Sequence, residues 1–228
     1  MPYPFSKQAI ASTIRTFPKE KAIVAKELAS NMYRTFPYFV GKAISEVPLV
    51  GVFNSVFGAL LYQFTGLSKM AGKFMRFLGL LSTHGLACEA TGLAVGAVSP
   101  SSDVALALFP AILVLNIIFD GKNISSESVP RVLRWIPKAS LIRWGFEGLA
   151  LNEFEGLDFD TPPGPRRGPV AKTGAEALDR FGLGSNTLGD VIRAQVAITV
   201  SGWLLSFLGL TLSRQKFKTM EPPSQGEE

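Results

Sequence analysis

The sequence predicts an all-α integral membrane protein: a bundle of about four transmembrane helices, with an amphipathic polar helix ahead of them and a surface-held segment after the third span. Three observations predict this. The 228 residues are 47% apolar and only 18% charged, with a mean hydropathy of +0.25, whereas an average soluble domain is about 25% charged. Four apolar runs, nearly free of charge, punctuate the chain. Between the third and fourth, Val129 to Leu157 interleaves Trp135, Trp144 and Phe146 with Arg131, Arg134, Lys138 and Arg143, and is broken by Pro130 and Pro137. Broad amphipathic rings beside cations suit a bilayer surface better than a soluble core or a full span.

Taken in order, residues 1–46 are studded with charge and show no compact apolar stretch before a small-residue cleavage site, so no cleavable leader is expected. Lys19 to Asn31 mixes strong helix formers with charges and predicts a polar helix outside the bilayer, with breaks at Pro37 and Pro48. Val47 to Ser68 then runs 22 residues without a charge, a helix of about 33 Å against a hydrocarbon core of about 30 Å. Phe77 to Ser99 has 23 residues interrupted only by Glu89 as a charge, and Ala194 to Ser213 has 20 with none. Val104 to Phe119 has only 16 residues and borrows a turn from Ser101, Ser102 and Asp103, where a serine caps free N–H groups and Asp103 complements the helix dipole. An unpaired backbone group in lipid costs several kcal/mol, so all four runs are expected as helices. The resulting spans lie near residues 47–68, 77–99, 101–119 and 191–213, with a long segment over 120–190 and a disordered tail over 214–228.

Several functions are disfavoured at this level. The net charge of +5 comes from Lys and Arg flanking apolar runs rather than forming a stripe, so no nucleic-acid partner is expected. With Cys88 alone the chain closes no internal disulfide; no basic partner is evident for this thiol, which reads as a packing residue. His84 and Glu89 stand five positions apart, on different faces of a helix, which argues against a catalytic pair or a metal site. Glu89 inside a span nevertheless marks a substrate or gating contact, or a helix-to-helix hydrogen bond. Gly85, Ala87, Ala90, Gly92, Ala94, Gly96 and Ala97 let neighbouring helices come close.

The string VPRVLRWIPKASLIRWGFEGLALNEFEGL resembles the signature that follows the fifth membrane helix in G-type ABC half-transporters, and TFPKEKAIVAKELASNMYRTFPYFVGKAISEVP, Thr16 to Pro48, resembles the link between their second and third helices. The resemblance makes the four spans the third to sixth helices of that family. It implies a cytoplasmic arm over 1–46 in which Glu20, Lys21, Lys26 and Glu27 dock an ATPase domain, with Glu46 and Pro48 at the inner end of the next helix. It also implies a re-entrant external motif carrying Arg143, Trp144, Glu147, Asn152, Glu153 and Phe154, and a central cavity lined by Val114 and Ile117, with Asn116 as a polar handle; Glu89, as an ionisable residue inside a span, is a further substrate-path candidate on its own account. Where multidrug members carry two leucines, Lys122 and Asn123 follow Gly121, so a hydrophobic valve is not expected; no cysteine lies in 120–190, and the sequon Asn123-Ile124-Ser125 sits too near the span for glycosylation.

The function so implied is the membrane portion of an ATP-driven exporter of hydrophobic or amphipathic compounds, of lipid, sterol or xenobiotic class, in the plasma membrane or an organelle membrane. It acts as a homodimer or heterodimer among membrane lipids. No G-x-x-x-x-G-K-[ST] loop occurs in these residues, so the chain is not expected to be an enzyme by itself. It carries no cofactor or metal of its own, and ATP and Mg are handled by a nucleotide-binding domain in a missing part of the polypeptide or on a partner. Truncation of a longer polypeptide is the favoured expectation. Alternatives are a stand-alone regulatory membrane subunit pairing with a complete half-transporter, and an intramembrane enzyme using His84 and Glu89. Because the whole reading depends on insertion in lipid, the polypeptide is expected to stay in the pellet when crude vesicles are washed with alkaline carbonate. Recovery in the supernatant contradicts it.

Overall fold

The computed structural model describes residues 2–30, 32–120, 131–133, 135–159, 171–183 and 186–212. These contain α1 (Pro2–Ala29), α2 (Thr35–Phe64), α3 (Ala71–Val98), α4 (Ser102–Ile118), α5 (Trp135–Ala139), α6 (Leu141–Phe154), α7 (Gly174–Arg180) and α8 (Leu188–Leu212), with a short 3-10 turn at Arg131–Leu133. Among the described residues the only β pairing is an isolated antiparallel bridge between Asp158 and Thr173. The residues Lys122 and Asn123, the sequon and the tail lie outside the described residues.

Two helices begin well before their sequence-predicted starts. The polar stretch from Lys19 is the second half of α1, whose Ile10, Ile14, Phe17, Val24 and Leu28 recur at helical spacing and are buried. Ile10 and Ile14 join a core with Ala87, Phe109 and Leu113, while Phe17 packs with Leu93, Ala97 and Leu210. This continuous apolar stripe carries the helix through its charged half. In α2, Pro37 falls in the first turn, where its missing N–H has no helical partner to lose, and Pro48 lies inside the helix instead of breaking it. Hydrocarbon favours keeping the remaining backbone bonds over ending the helix there.

Cap chemistry fixes the other boundaries. Ser101 Oγ accepts from Val104 N–H at 3.3 Å to start α4, with Asp103 in the first turn as expected. Gly66 has φ +66° and ends α2 in a Schellman arrangement, its N–H donating to Gln63 and that of Leu67 to Tyr62. Gly182, at φ +65°, ends α7 likewise, with Leu183 packed on Leu178.

α3 is the central rod, packed most extensively on α8 and also on α1, α2 and α6. α2 and α8, at 30 and 25 residues, are long and apolar enough to cross a bilayer, about 45 and 38 Å. The other two expected spans do not meet that standard on length and composition: α4 has 17 residues, and α3 is diluted by His84 and Glu89. Enclosure among its neighbours lets α3 be less apolar, since its polar side chains are hidden from the surroundings.

Burial in the outer helices is inverted relative to a soluble protein. On α8 the buried stripe is Val191, Gln195, Thr199, Gly202, Ser206 and Leu210, whereas Val196, Val200, Leu204, Leu208 and Leu212 are exposed. On α2, Asn54, Gly58 and Tyr62 turn inward, and Val52, Phe53, Val56 and Leu60 turn out. Small and polar groups hold the interior and large apolar ones the outside, as a lipid solvent requires.

Helix contacts depend on the missing side chains. A Cβ at Gly202 would stand 2.7 Å from the Ala90 carbonyl oxygen, and one at Gly92 would stand 2.8 Å from Thr13 Cβ. Gly202→Val is therefore expected to force α8 off α3 and to lower the melting temperature in detergent, by a cost of about 1–3 kcal/mol. Gly189→Ala, which meets only Thr187 Oγ1 at 3.6 Å, is expected to leave it unchanged; equal melting of both variants contradicts the packing.

Candidate functional site

The joint between α1 and α2 is made by charge. Lys42 Nζ donates to Glu20 of α1 and to Glu46 of its own helix, each at 2.7 Å, and also lies over the Phe17 ring at 5.6 Å. Lys42 is largely buried, its side chain 14% exposed, so screening of this three-group cluster is weaker than at the surface. Lys21 Nζ donates to the carbonyls of Ala97 at 2.6 Å and Ser99 at 3.2 Å, placing a cation on the negative end of α3. Tyr33, in the turn, donates to Glu27 Oε2 at 2.5 Å and stacks on Tyr38; burial, then this hydrogen bond, push its phenol up to about 12. Of the four sequence-predicted docking residues, Glu20, Lys21 and Glu27 thus also tie α1 to its neighbours, and Lys26 is exposed.

A second polar group lies between α1 and α3. Ser6 Oγ and His84 Nε2 are 2.7 Å apart, and Cys88 Sγ stands 3.7 Å from the same nitrogen. The expectation that Cys88 lacks a basic partner is thereby corrected: a spacing of four places His84 on the same helix face, which follows from helix geometry alone. The ring is confined by Gly145 of α6, where a Cβ would come 2.5 Å from His84 Cε1. His84 Nδ1 has no protein partner among the described residues, and His84, Cys88 and Ser6 are all buried. Glu89, one turn and a residue further, faces elsewhere, as expected, and lines a cavity of about 320 Å³ with Glu46, Asn54 and Phe5.

On α4, Val114 is 50% exposed and points out of the chain, while Ile117 packs partly against the main core. Asn116 is engaged: its Nδ2 donates to Ile112 O at 2.9 Å, its Oδ1 accepts from Leu141 N–H at 2.8 Å, and its carbonyl accepts from Ser140 Oγ at 3.1 Å. It therefore fastens α4 to the start of α6. Val114, Ile117 and Asn116 do not meet Glu89 in one cavity lining.

The motif residues gather on α6. Glu147, fully buried, accepts from Asn186 Nδ2 at 2.7 Å and lies 3.6 Å from Arg143 Nε. Trp144 Nε1 donates to Lys138 O at 2.8 Å, closing α5 onto α6. Glu153 Oε1 accepts from Ser68 N–H at 2.7 Å, fastening α6 to the turn between α2 and α3, and Asn152 Nδ2 donates to Lys73 O at 3.0 Å, fastening it to the first turn of α3. Phe154 packs against the cluster of Leu178 and Leu183. Sequence reasoning missed Ser6, Lys42 and Gln195 as structural polar contacts, and Asn54 as a buried cavity residue. Gln195 accepts from Thr83 Oγ1 at 2.7 Å across α3 and α8; a polar residue every three or four positions in an apolar helix was the available signal.

The ABC-2 type transporter family model matches residues 5–154. The chain is 36% identical over 213 residues to ABC transporter G family member 7 of Arabidopsis thaliana, covering 93% of this chain and 29% of that protein. It is 31% identical over 151 residues to Protein white of Drosophila melanogaster, 66% of this chain and 22% of that protein. With the broad substrate specificity ATP-binding cassette transporter ABCG2 of Sus scrofa it shares 27% over 183 residues, 78% of this chain and 28% of that protein. The chain thus spans under a third of the length of these relatives. A membrane-domain match across most of the helices, together with relatives of one subfamily, identifies it: the chain belongs to the ABC-2 type transporter family, as a transmembrane domain of the G subfamily.

Proposed function

We propose that this chain is the membrane-spanning part of an ATP-driven exporter of hydrophobic or amphipathic compounds, and that α3 and α4 cross the bilayer together with α2 and α8. ATP and Mg are bound by a nucleotide-binding domain of the same or another polypeptide, and the chain hydrolyses nothing by itself. Two such membrane domains pair as a homodimer or heterodimer, with outward-pointing Val114 of α4 toward the shared path and Ile117 beside it. The α5 and α6 pair forms the external re-entrant segment.

The observation that carries the reading is the Glu20, Lys42 and Glu46 cluster. It joins the polar half of α1 to the start of a long apolar helix, while Lys21 joins the same half to the end of α3. A push on this part of α1 is thereby delivered to α2 and α3 at once, as rigid-body transmission requires. Lys26, exposed on the same helix, remains available to the ATPase domain.

In the transporter assembled with its ATP-binding domain, Lys42→Met is expected to reduce ATP-driven efflux of a lipophilic dye from inverted vesicles by about tenfold, the scale of a typical coupling energy. ATP hydrolysis is expected to persist, and Lys42→Arg to restore most of the efflux. Unchanged efflux in Lys42→Met, or hydrolysis lost in step with efflux, contradicts the proposed transmission. ATP-independent turnover of a substrate by the chain, abolished by His84→Ala, would instead favour an intramembrane enzyme.

A further inference from the structure

The cavity between α1, α2 and α3 is built of two unlike halves. Its outer half is apolar, formed by Phe5, Leu49 and Phe53, and the last two are 56% and 67% exposed on the outward face of α2. Its inner half holds Glu46, Glu89 and Asn54. Glu89 is 8% exposed and its Oε2 has no hydrogen-bond partner among the described residues; Asn54 is 7% exposed and its Nδ2 has none there either. Glu46 and Glu89 thus line the same half of the cavity.

Charge in this region is lopsided. Among the described residues Lys42 is the one ammonium bonded to the group, and Glu20 and Glu46 already share it. Lys21 is engaged by the α3 carbonyls. Glu89 therefore shares a low-dielectric cavity with another carboxyl and has an oxygen that accepts no hydrogen bond among the described residues, an arrangement that is costly unless a proton or another donor is supplied. The exposed part of the lining, Leu49 and Phe53, is the side from which such a donor can enter. Aromatic faces there suit a cation, and the exposed apolar rim suits a hydrocarbon chain lying in the bilayer.

We propose that this cavity is a binding site for an amphipathic amine, whose ammonium donates to Glu89 and Glu46 while its chain lies along Phe53 and Leu49. The Asn54 amide then faces a hydroxyl or carbonyl oxygen next to the amine. A volume near 320 Å³ holds a headgroup and the first carbons of a chain, at the lower end of small-molecule sites. This site stands apart from the α4 path and does not rest on the exporter reading, because occupancy needs no ATP.

The test uses Ser12→Cys, a substitution at an exposed position lining the cavity; the natural Cys88 is fully buried, and the unsubstituted protein serves as the labelling blank. The protein in phosphatidylcholine nanodiscs is labelled with a water-soluble maleimide in the presence of hexylammonium or of hexanol at equal concentration. Hexylammonium is expected to protect the introduced thiol at about tenfold lower concentration than hexanol, the value of one charge-assisted hydrogen bond. Adding Glu89→Gln is expected to erase that difference. Equal protection by both compounds, or no protection, overturns the proposal without recourse to any further variant. A difference that survives in both Glu89→Gln and Glu46→Gln overturns it as well, and if Glu89→Gln fails to fold, Glu46→Gln carries the comparison.

Discussion

One constraint organises this molecule: a polar group inside a hydrocarbon solvent must find its partner within the protein. The contacts of α3 with α8 and with α1 are where the bundle meets it. Thr83 and Gln195 satisfy each other across α3 and α8, and Ser6 and His84 across α1 and α3, whereas Asn54 Nδ2 and Glu89 Oε2, which line one cavity, have no partner among the described residues. Because lipid supplies no hydrophobic drive for helices to associate, close approach through small residues and hydrogen bonds between helices must hold the bundle together. Gly202 against Ala90 and Gly209 against Ala97 are the clearest cases, each bringing α8 within backbone contact of α3.

The same constraint explains why the charged groups cluster at helix ends. Lys42 holds two carboxylates near the start of α2, Lys21 sits on the last carbonyls of α3, and Lys73 donates to the carbonyls of Glu153 and Glu155 at the end of α6. Each is a cation meeting either anions or the negative end of a helix dipole. These contacts tie the end of one helix to another helix. α6 occupies the opposite role. Short, capped by Ser140 and tied down by Asn116, Glu147, Asn152 and Glu153, it is fastened to four other parts of the chain.

Sequence patterning reached the helices but not their lengths. Ser101 and Asp103 announced the start of α4, and the small-residue stretch from Gly85 to Ala97 announced a crowded α3. The long α1 was not legible, because its charges in the second half mask an apolar stripe that makes sense only against α3 and α4. Pro48 was not legible as a helical residue either, since local rules weigh its lost bond and not the solvent that penalises losing more.

What the sequence by itself determined is the solvent and the family: uncharged runs of twenty residues or more admit few alternatives in water, and the α5 and α6 motif is specific in its residue types. Only the tertiary structure decided which polar residues meet. Asn116 could have faced a cavity by spacing alone, yet it binds the start of α6; Lys42 gave no sign of bridging two helices twenty-two positions apart. Periodicity assigns a residue to a face of its own helix, but the partner opposite that face is set by how helices rotate and cross, and no local pattern encodes that.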